Sequence, residues 1–114
     1  MAAIFFASSL PNLTSLPGGI SDKTGHFLGY GLLSMLVLFA RASGRWTGVT
    51  ISSAAWATVF TTAYGATDEL HQRFVPGRSP AFDDIVADFA GAVAGAACIL
   101  AWRWVRDRRR TRDV

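Results

Sequence analysis

Three long runs of the chain are almost free of charged residues. Residues 24–40 carry only the titratable His26, residues 46–67 carry no charge, and residues 85–102 carry only Asp88. At about 1.5 Å per residue, each run as a helix crosses or nearly crosses a hydrocarbon core of about 30 Å. A soluble bundle would need a polar stripe on every helix, but these runs offer only Ser, Thr and Gly. The pattern predicts an all-α integral membrane bundle rather than a soluble one.

Helix-start signals place the ends of these elements. Ser21 is a suitable N-cap for the first helix, and Ser79 followed by Pro80 is a start signal for the third. We therefore expect three transmembrane helices, at about residues 22–40, 47–70 and 80–104. The predicted organisation is an N-terminal apolar segment and loop, a membrane domain and a basic cytoplasmic tail, at residues 1–20, 21–104 and 105–114.

Composition and charge support the membrane interpretation and give it an orientation. Hydrophobic residues make up 51% of the chain and charged residues only 17%, against roughly 25% charged in soluble domains. Eight basic residues lie on one side of the predicted spans, Arg41, Arg45 and six arginines after residue 102, and three on the other. The side with eight is predicted to be cytoplasmic, with the C-terminus. A basic tail directly after an apolar helix favours anionic lipid as its partner over nucleic acid.

Polar residues recur at helical spacing on the opposite, outer side. The residues that share faces are Asp22, His26 and Tyr30 on the first helix, Tyr64, Asp68 and Gln72 on the second, and Asp84, Asp88, Gly91 and Gly95 on the third. The two glycines allow close approach of a neighbouring backbone, so the acids should point into the bundle. Asp88 lies deepest, and an isolated carboxylate there costs at least a few kcal/mol. It needs a partner, for which Arg78, Lys23 and His26 are the candidates.

These residues also carry a family resemblance. The motifs are Asp22-Lys23-Thr24-Gly25-His26-Phe27, Tyr30, Tyr64-Gly65-Ala66-Thr67-Asp68-Glu69-Leu70-His71-Gln72, Phe74-Val75-Pro76-Gly77-Arg78, Asp83-Asp84, Asp88 and Gly91 to Gly95. Over about residues 8–100 their order resembles that of the VanZ-like family of bacterial membrane proteins. That family usually has four helices, so the resemblance leads us to expect a truncated N-terminal helix and three full helices in the given sequence. By the match, the residues expected to matter are Asp22, Lys23, His26, Asp68, Glu69, Gln72, Arg78, Asp84 and Asp88.

The resemblance implies a protein of the bacterial cytoplasmic membrane and cell envelope. The family's name-giving member is associated with low-level resistance to the glycopeptide antibiotic teicoplanin. The leading hypothesis is therefore a non-enzymatic protein that binds an outer-leaflet lipid, a cell-wall precursor or a glycopeptide-like ligand. Arg78 and Lys23 would contact phosphate or carboxylate groups of that ligand.

Three alternatives remain at this point. The first is a membrane enzyme acting on a lipid-linked substrate, although Glu69 and His71 lie on different helix faces and no HExxH-like spacing occurs. We accordingly favour a protein without enzyme activity over an enzyme, and we expect no metal or cofactor. The second is a transporter or proton relay using Asp88 near His26, with Gly91 and Gly95 supporting a homo-oligomer. The third is that the polar groups only hold the helices together.

Overall fold

The computed structural model describes residues 2–8, 15–16 and 20–114, and it consists mainly of helices. Its elements are α1 (Ala2–Ser8), the two-residue strands β1 (Ser15–Leu16) and β2 (Ile20–Ser21), α2 (Asp22–Arg41), a 3₁₀ turn (Trp46–Gly48), α3 (Ile51–Gln72) and α4 (Phe82–Arg112). The strands pair antiparallel, with Ser15 opposite Ser21 and Leu16 opposite Ile20. The predicted all-α architecture is confirmed. Most of the predicted N-terminal loop, including Pro11, Pro17, Gly18 and Gly19, lies outside the described residues.

The starts of α2 and α3 follow from their N-caps. Ser21 accepts a hydrogen bond from the Thr24 amide at 3.2 Å, so the predicted cap of α2 is confirmed. The second long helix starts at Ile51, four residues after the predicted position, because residues 46–48 form the 3₁₀ turn. Thr50 then caps α3 by accepting from the Ser53 amide at 3.1 Å.

Helix α4 differs from the prediction at both ends. Its N-cap is Ala81, so the prediction that Ser79 caps this helix with Pro80 in its first turn is wrong. No side chain among the described residues caps the helix. The backbone amide of Ala81 instead donates to a Glu69 carboxylate oxygen at 3.0 Å, so the acceptor at the start of α4 comes from the end of α3. At the other end the helix continues through the predicted basic tail to Arg112. Arginines near a helix C-terminus interact favourably with its dipole, and Arg103 pairs with Asp107 one turn later.

Helices α2 and α4 touch through their backbones. A Cβ on Gly91 would overlap the Phe27 carbonyl, and a Cβ on Gly95 would overlap the Gly31 carbonyl. Ser34, buried on the same face of α2, donates to the Ala92 carbonyl at 2.8 Å. The predicted close approach at Gly91 and Gly95 is therefore found within one chain, where α2 occupies the glycine face.

The bundle interior changes character along its length. Near the start of α3 the core is apolar and contains Leu38, Ala42, Val49, Ala54, Ala57 and Ala96. Towards the other end the buried side chains are mostly polar or charged, namely Ser34, Thr61, Asp68, Glu69, Gln72, Asp84 and Asp88. We call this second end, where α2 and α4 begin and α3 ends, the polar end, and the opposite end the basic end.

The outer surface of the three helices is strongly apolar. Large hydrophobic side chains at least half exposed are Leu28, Leu32, Leu36, Ile51, Val59, Leu70, Phe82, Val86 and Phe89, with others on the same helices. By length and hydropathy, α4 alone among the described helices qualifies as a membrane span. Polar and charged residues, only some of them buried, lower the hydropathy of α2 and α3. Three long helices are confirmed, whereas this criterion does not confirm three transmembrane spans.

Candidate functional site: a buried polar cluster

The polar end gathers ionisable side chains from all three long helices. His26 comes from the first two turns of α2, Asp68 and Glu69 from the last two turns of α3, and Asp84 and Asp88 from the first two turns of α4. We call these five residues the polar cluster. Antiparallel packing explains their meeting, because it brings the starts of α2 and α4 next to the end of α3.

A short polar contact in the cluster joins His26 to Asp88. His26 Nδ1 lies 2.7 Å from Asp88 Oδ1, with the histidine side chain 9% exposed and the aspartate fully buried. Gly65 of α3 provides the space for this carboxylate, since a Cβ at position 65 would overlap Asp88 Oδ2. Of the three partners predicted for Asp88, the structure selects His26.

Tyr30 links α2 to the α3 side of the cluster. Its hydroxyl donates to Asp68 Oδ2 at 3.3 Å, and its side chain is only 2% exposed. The Tyr30 ring is parallel to the His26 ring, with centroids 6.0 Å apart. Tyr30 and His26 therefore share one face, as their spacing predicts, and both are directed into the bundle.

Lys23 lies at the edge of the cluster. Its Nζ lies 3.5 Å from Asp83 Oδ2 and 3.7 Å from Asp84 Oδ1. The Lys23 and Asp83 side chains are 57% and 77% exposed, whereas Asp84 is 7% exposed. Lys23 therefore sits between water and the cluster, where it can contact a ligand approaching from outside.

Several buried polar atoms near the cluster have no hydrogen-bond partner among the described residues. They are Glu69 Oε1, Asp88 Oδ2 and Gln72 Nε2. Glu69, Gln72 and Asp88 are at most 4% exposed. A buried polar atom without a partner costs about 1–3 kcal/mol. The cluster thus keeps hydrogen-bonding capacity that the described side chains do not use.

The remaining predicted site residues occupy different positions. Gln72 is the last residue of α3 and is buried. Arg78 lies half-buried in the loop between α3 and α4. Asp22 begins α2, but its side chain lies outside the described part of the chain. Gly65 was not among the predicted site residues; its signal in the sequence is that the single glycine of α3 lies one turn before Asp68 and Glu69.

The chemistry available here is that of oriented carboxylates around one imidazole. Carboxylates accept hydrogen bonds from hydroxyl, amino and amide groups and bind cations. The His26–Asp88 pair can hold or transfer a proton. The site therefore offers buried acceptor oxygens between the helices and an exposed cation at its edge.

Comparison with known protein families agrees with the motif pattern. The VanZ/LLP1 family model matches residues 2–103, which is most of the chain and includes every member of the polar cluster. Neither curated proteins nor solved structures gave a significant match. The extent of the family match shows that this chain belongs to the VanZ/LLP1 family.

Proposed function

We propose that the protein is a multi-pass protein of the bacterial cytoplasmic membrane whose polar cluster binds the polar part of an outer-leaflet ligand. The ligand would be a lipid, a lipid-linked cell-wall precursor or a glycopeptide-like molecule such as teicoplanin. The observation that carries this proposal is that four buried carboxylates and the largely buried His26, from three helices, meet at one end of the bundle.

The arrangement of apolar and polar surface supports a membrane location with three spans. Leucine, valine and phenylalanine cover the outside of the helices while carboxylates lie inside. In water this arrangement is unfavourable, because exposed apolar area loses roughly 25 cal/mol per Å² relative to burial. In lipid, the apolar outer surface is no longer unfavourable, because it contacts hydrocarbon. The acids must still face inward, because lipid does not solvate charges.

The charges at the two ends support an orientation with the polar end outward. The basic end carries Arg41, Arg45 and the arginines of α4. Arg106 lies over the Trp46 ring at 5.1 Å, and Arg108 lies over the Trp104 ring at 3.6 Å. Tryptophan and arginine together are typical of the inner membrane interface. The C-terminus is then cytoplasmic, and the polar cluster faces the outer leaflet.

The chemistry of the cluster favours a ligand with several hydroxyl or amino groups. Glu69, Asp84 and Asp88 supply acceptor oxygens, and Lys23 supplies a donor at the rim. Sugar and amino groups are shared by cell-wall precursors and glycopeptides, so they are the common chemistry that this site would recognise. Arg78 would add a contact to phosphate or carboxylate.

A binding measurement in lipid nanodiscs tests this proposal. Teicoplanin, a lipid-linked cell-wall precursor and a plain phospholipid are titrated separately against wild type, Glu69→Gln and Arg78→Ala. Loss of a charged hydrogen bond costs about 1.5–3 kcal/mol, so we expect at least one ligand to bind about tenfold more weakly to each variant. Asp107→Asn, at the basic end, is the matched control and should bind like wild type.

Equal affinity of all four proteins for every ligand would contradict the proposal. The same variants expressed at matched levels in cells give an independent readout through teicoplanin susceptibility. If the precursor binds and teicoplanin does not, the ligand is a cell-wall precursor and the resistance link fails for this chain.

The second candidate is a membrane enzyme acting on a lipid-linked substrate, which the 2.7 Å contact between His26 and Asp88 favours. A buried carboxylate can orient an imidazole for acid–base catalysis. This candidate predicts turnover of a lipid-linked precursor that is lost in His26→Gln. Binding without turnover by wild type would reject it in favour of the binding protein.

A further inference from the structure

One part of the polar cluster brings together three ligand types that metals use. His26, Glu69 and Asp84 each offer one nitrogen or oxygen atom, and these three atoms all lie within 4.8 Å of one another. Each residue comes from a different helix. Their separation along the chain explains why no metal-binding spacing is visible in the sequence.

Glu69 has one carboxylate oxygen in a hydrogen bond and one without a described partner. Its Oε2 accepts from the Ala81 amide at 3.0 Å, which fixes the carboxylate against the start of α4. Its Oε1 has no hydrogen-bond partner among the described residues, and the residue is 4% exposed. A carboxylate that is held in place by one oxygen can bind a cation through its other oxygen, which is buried and has no described partner.

Asp88 supplies an outer contact to the histidine. In the neutral imidazole, donation from Nδ1–H to Asp88 Oδ1 leaves the lone pair on Nε2. Histidine ligands of metals commonly donate their other ring N–H to a carboxylate in this way, which sets the tautomer and the ring orientation. The pair therefore has the arrangement of a ligand and its supporting carboxylate.

The local charge balance also favours a cation. Asp68, Glu69, Asp84 and Asp88 are all buried at this end. The ion pairs that the structure describes for these acids include Lys23 with Asp84 and His26 with Asp88. Lys23 is also shared with the exposed Asp83. A divalent ion would add two positive charges next to the carboxylates, where water is scarce.

We propose that His26, Glu69 and Asp84 hold a divalent first-row metal ion, Zn²⁺ or Mn²⁺, and that Asp88 is a positioning residue for His26. One imidazole and two carboxylates suit these ions better than Ca²⁺ or Mg²⁺, which prefer oxygen ligands alone. Three protein ligands leave at least one coordination position, which an oxygen of a polar ligand can take. The metal would occupy the same cluster as the ligand proposed above, but its binding can be measured without that ligand.

The experiment measures metal in the full chain purified in detergent. The protein is stripped with chelator, loaded with Zn²⁺ or Mn²⁺, dialysed and analysed for metal content and Tm. We expect about one ion per wild-type chain and a Tm increase of about 5 °C or more with one of the two ions. Glu69→Gln and Asp84→Asn should lose both effects, and Asp88→Asn should bind about 10–100-fold more weakly.

Asp83→Asn is the matched control, because Asp83 adjoins Asp84 but is exposed and outside the ligand set. It should bind metal like wild type. Near-equal metal content in Asp83→Asn and Glu69→Gln would mean an adventitious ion only and would overturn the site, as would a folded wild type that binds neither ion. If a variant fails to fold, the visible absorption spectrum of the Co²⁺-loaded wild type tests the site instead. We expect d–d bands, and their absence would overturn the site. Because this experiment measures metal content, a negative result would overturn only the metal site. Ligand binding is tested separately, by the titration in nanodiscs.

Discussion

At the residue scale, the cluster shows how an apolar bundle accommodates carboxylates. Asp88 is completely buried, yet it has His26 at 2.7 Å and a space left by Gly65. Glu69 is stabilised differently, by the backbone amide of Ala81 at the start of the next helix. Each acid thus joins two helices, so the cluster contributes to the fold as well as to any binding site.

The His26–Asp88 contact predicts strong energetic coupling between the two residues. We expect His26→Gln and Asp88→Asn to show a coupling free energy of at least about 1 kcal/mol in a double-mutant cycle. The reason is that each single substitution already removes the same hydrogen bond. The free energy of unfolding in mixed detergent–SDS micelles measures it. Single-variant effects that add to within about 0.5 kcal/mol would show that the pair is not coupled.

Much of this site could be anticipated from residue types and spacing. Helical periodicity placed His26 and Tyr30 on one face and directed Asp84 and Asp88 into the bundle. The pairing of Asp88 could not be fixed, because His26, Lys23 and Arg78 are compatible partners until the helix rotations are known. The contact of Glu69 with Ala81 was also hidden, since it depends on where α4 starts.

At the element scale, α2 and α4 form the tightest pair in the bundle. Their backbones meet at Gly31, Gly91 and Gly95. A methyl group would overlap a carbonyl oxygen at Gly91 and Gly95 and would pack tightly against one at Gly31. Such contact lets van der Waals attraction and polar contacts between helices replace the hydrophobic effect, which lipid does not provide. It also sets the depth at which Asp88 meets His26, because Asp88 lies one turn before Gly91.

This packing predicts opposite effects for alanine at different glycines. Gly91→Ala and Gly95→Ala should destabilise the protein by about 1–3 kcal/mol, because the backbones must separate. Gly29→Ala is the control, since a Cβ there meets nothing within 4 Å, and alanine favours the helix by up to about 1 kcal/mol. Thermal unfolding in detergent compares them. Equal Tm values for the Gly29 and Gly91 variants would contradict the assigned helix contact.

Helix positions were predicted better than helix ends. Charge-free runs located all three long helices, and Ser21 identified the start of α2. The start of α4 was misplaced because Ser79-Pro80 is a strong local signal, whereas the observed start uses an acceptor from α3. The end of α4 was placed too early, because a change from apolar to basic residues marks an interface without ending a helix.

At the scale of the whole molecule, the protein is polar inside at one end and apolar outside along its length. The basic end adds a cavity of about 360 Å³ lined by Trp46, Trp102, Val105, Arg106, Arg109, Arg110 and Asp113. Aromatic and cationic side chains around it match the chemistry of anionic lipid headgroups. The two ends therefore differ in charge, as expected for a protein with a fixed membrane orientation.

The central claim is that α2, α3 and α4 all face lipid around a buried polar cluster. The direct measurement is thiol accessibility in intact membranes, with Leu32→Cys, Val59→Cys or Val93→Cys placed singly in a Cys98→Ala background. These positions are exposed on α2, α3 and α4, and Ser79→Cys in the exposed α3–α4 loop is the positive control.

We predict that a membrane-impermeant maleimide labels Ser79→Cys in membranes with the outer face accessible. It should leave the three helix positions unlabelled until detergent and denaturant are added. Rapid labelling of Leu32→Cys or Val59→Cys in intact membranes, at the rate seen for Ser79→Cys, would show that α2 or α3 faces water and would contradict the account.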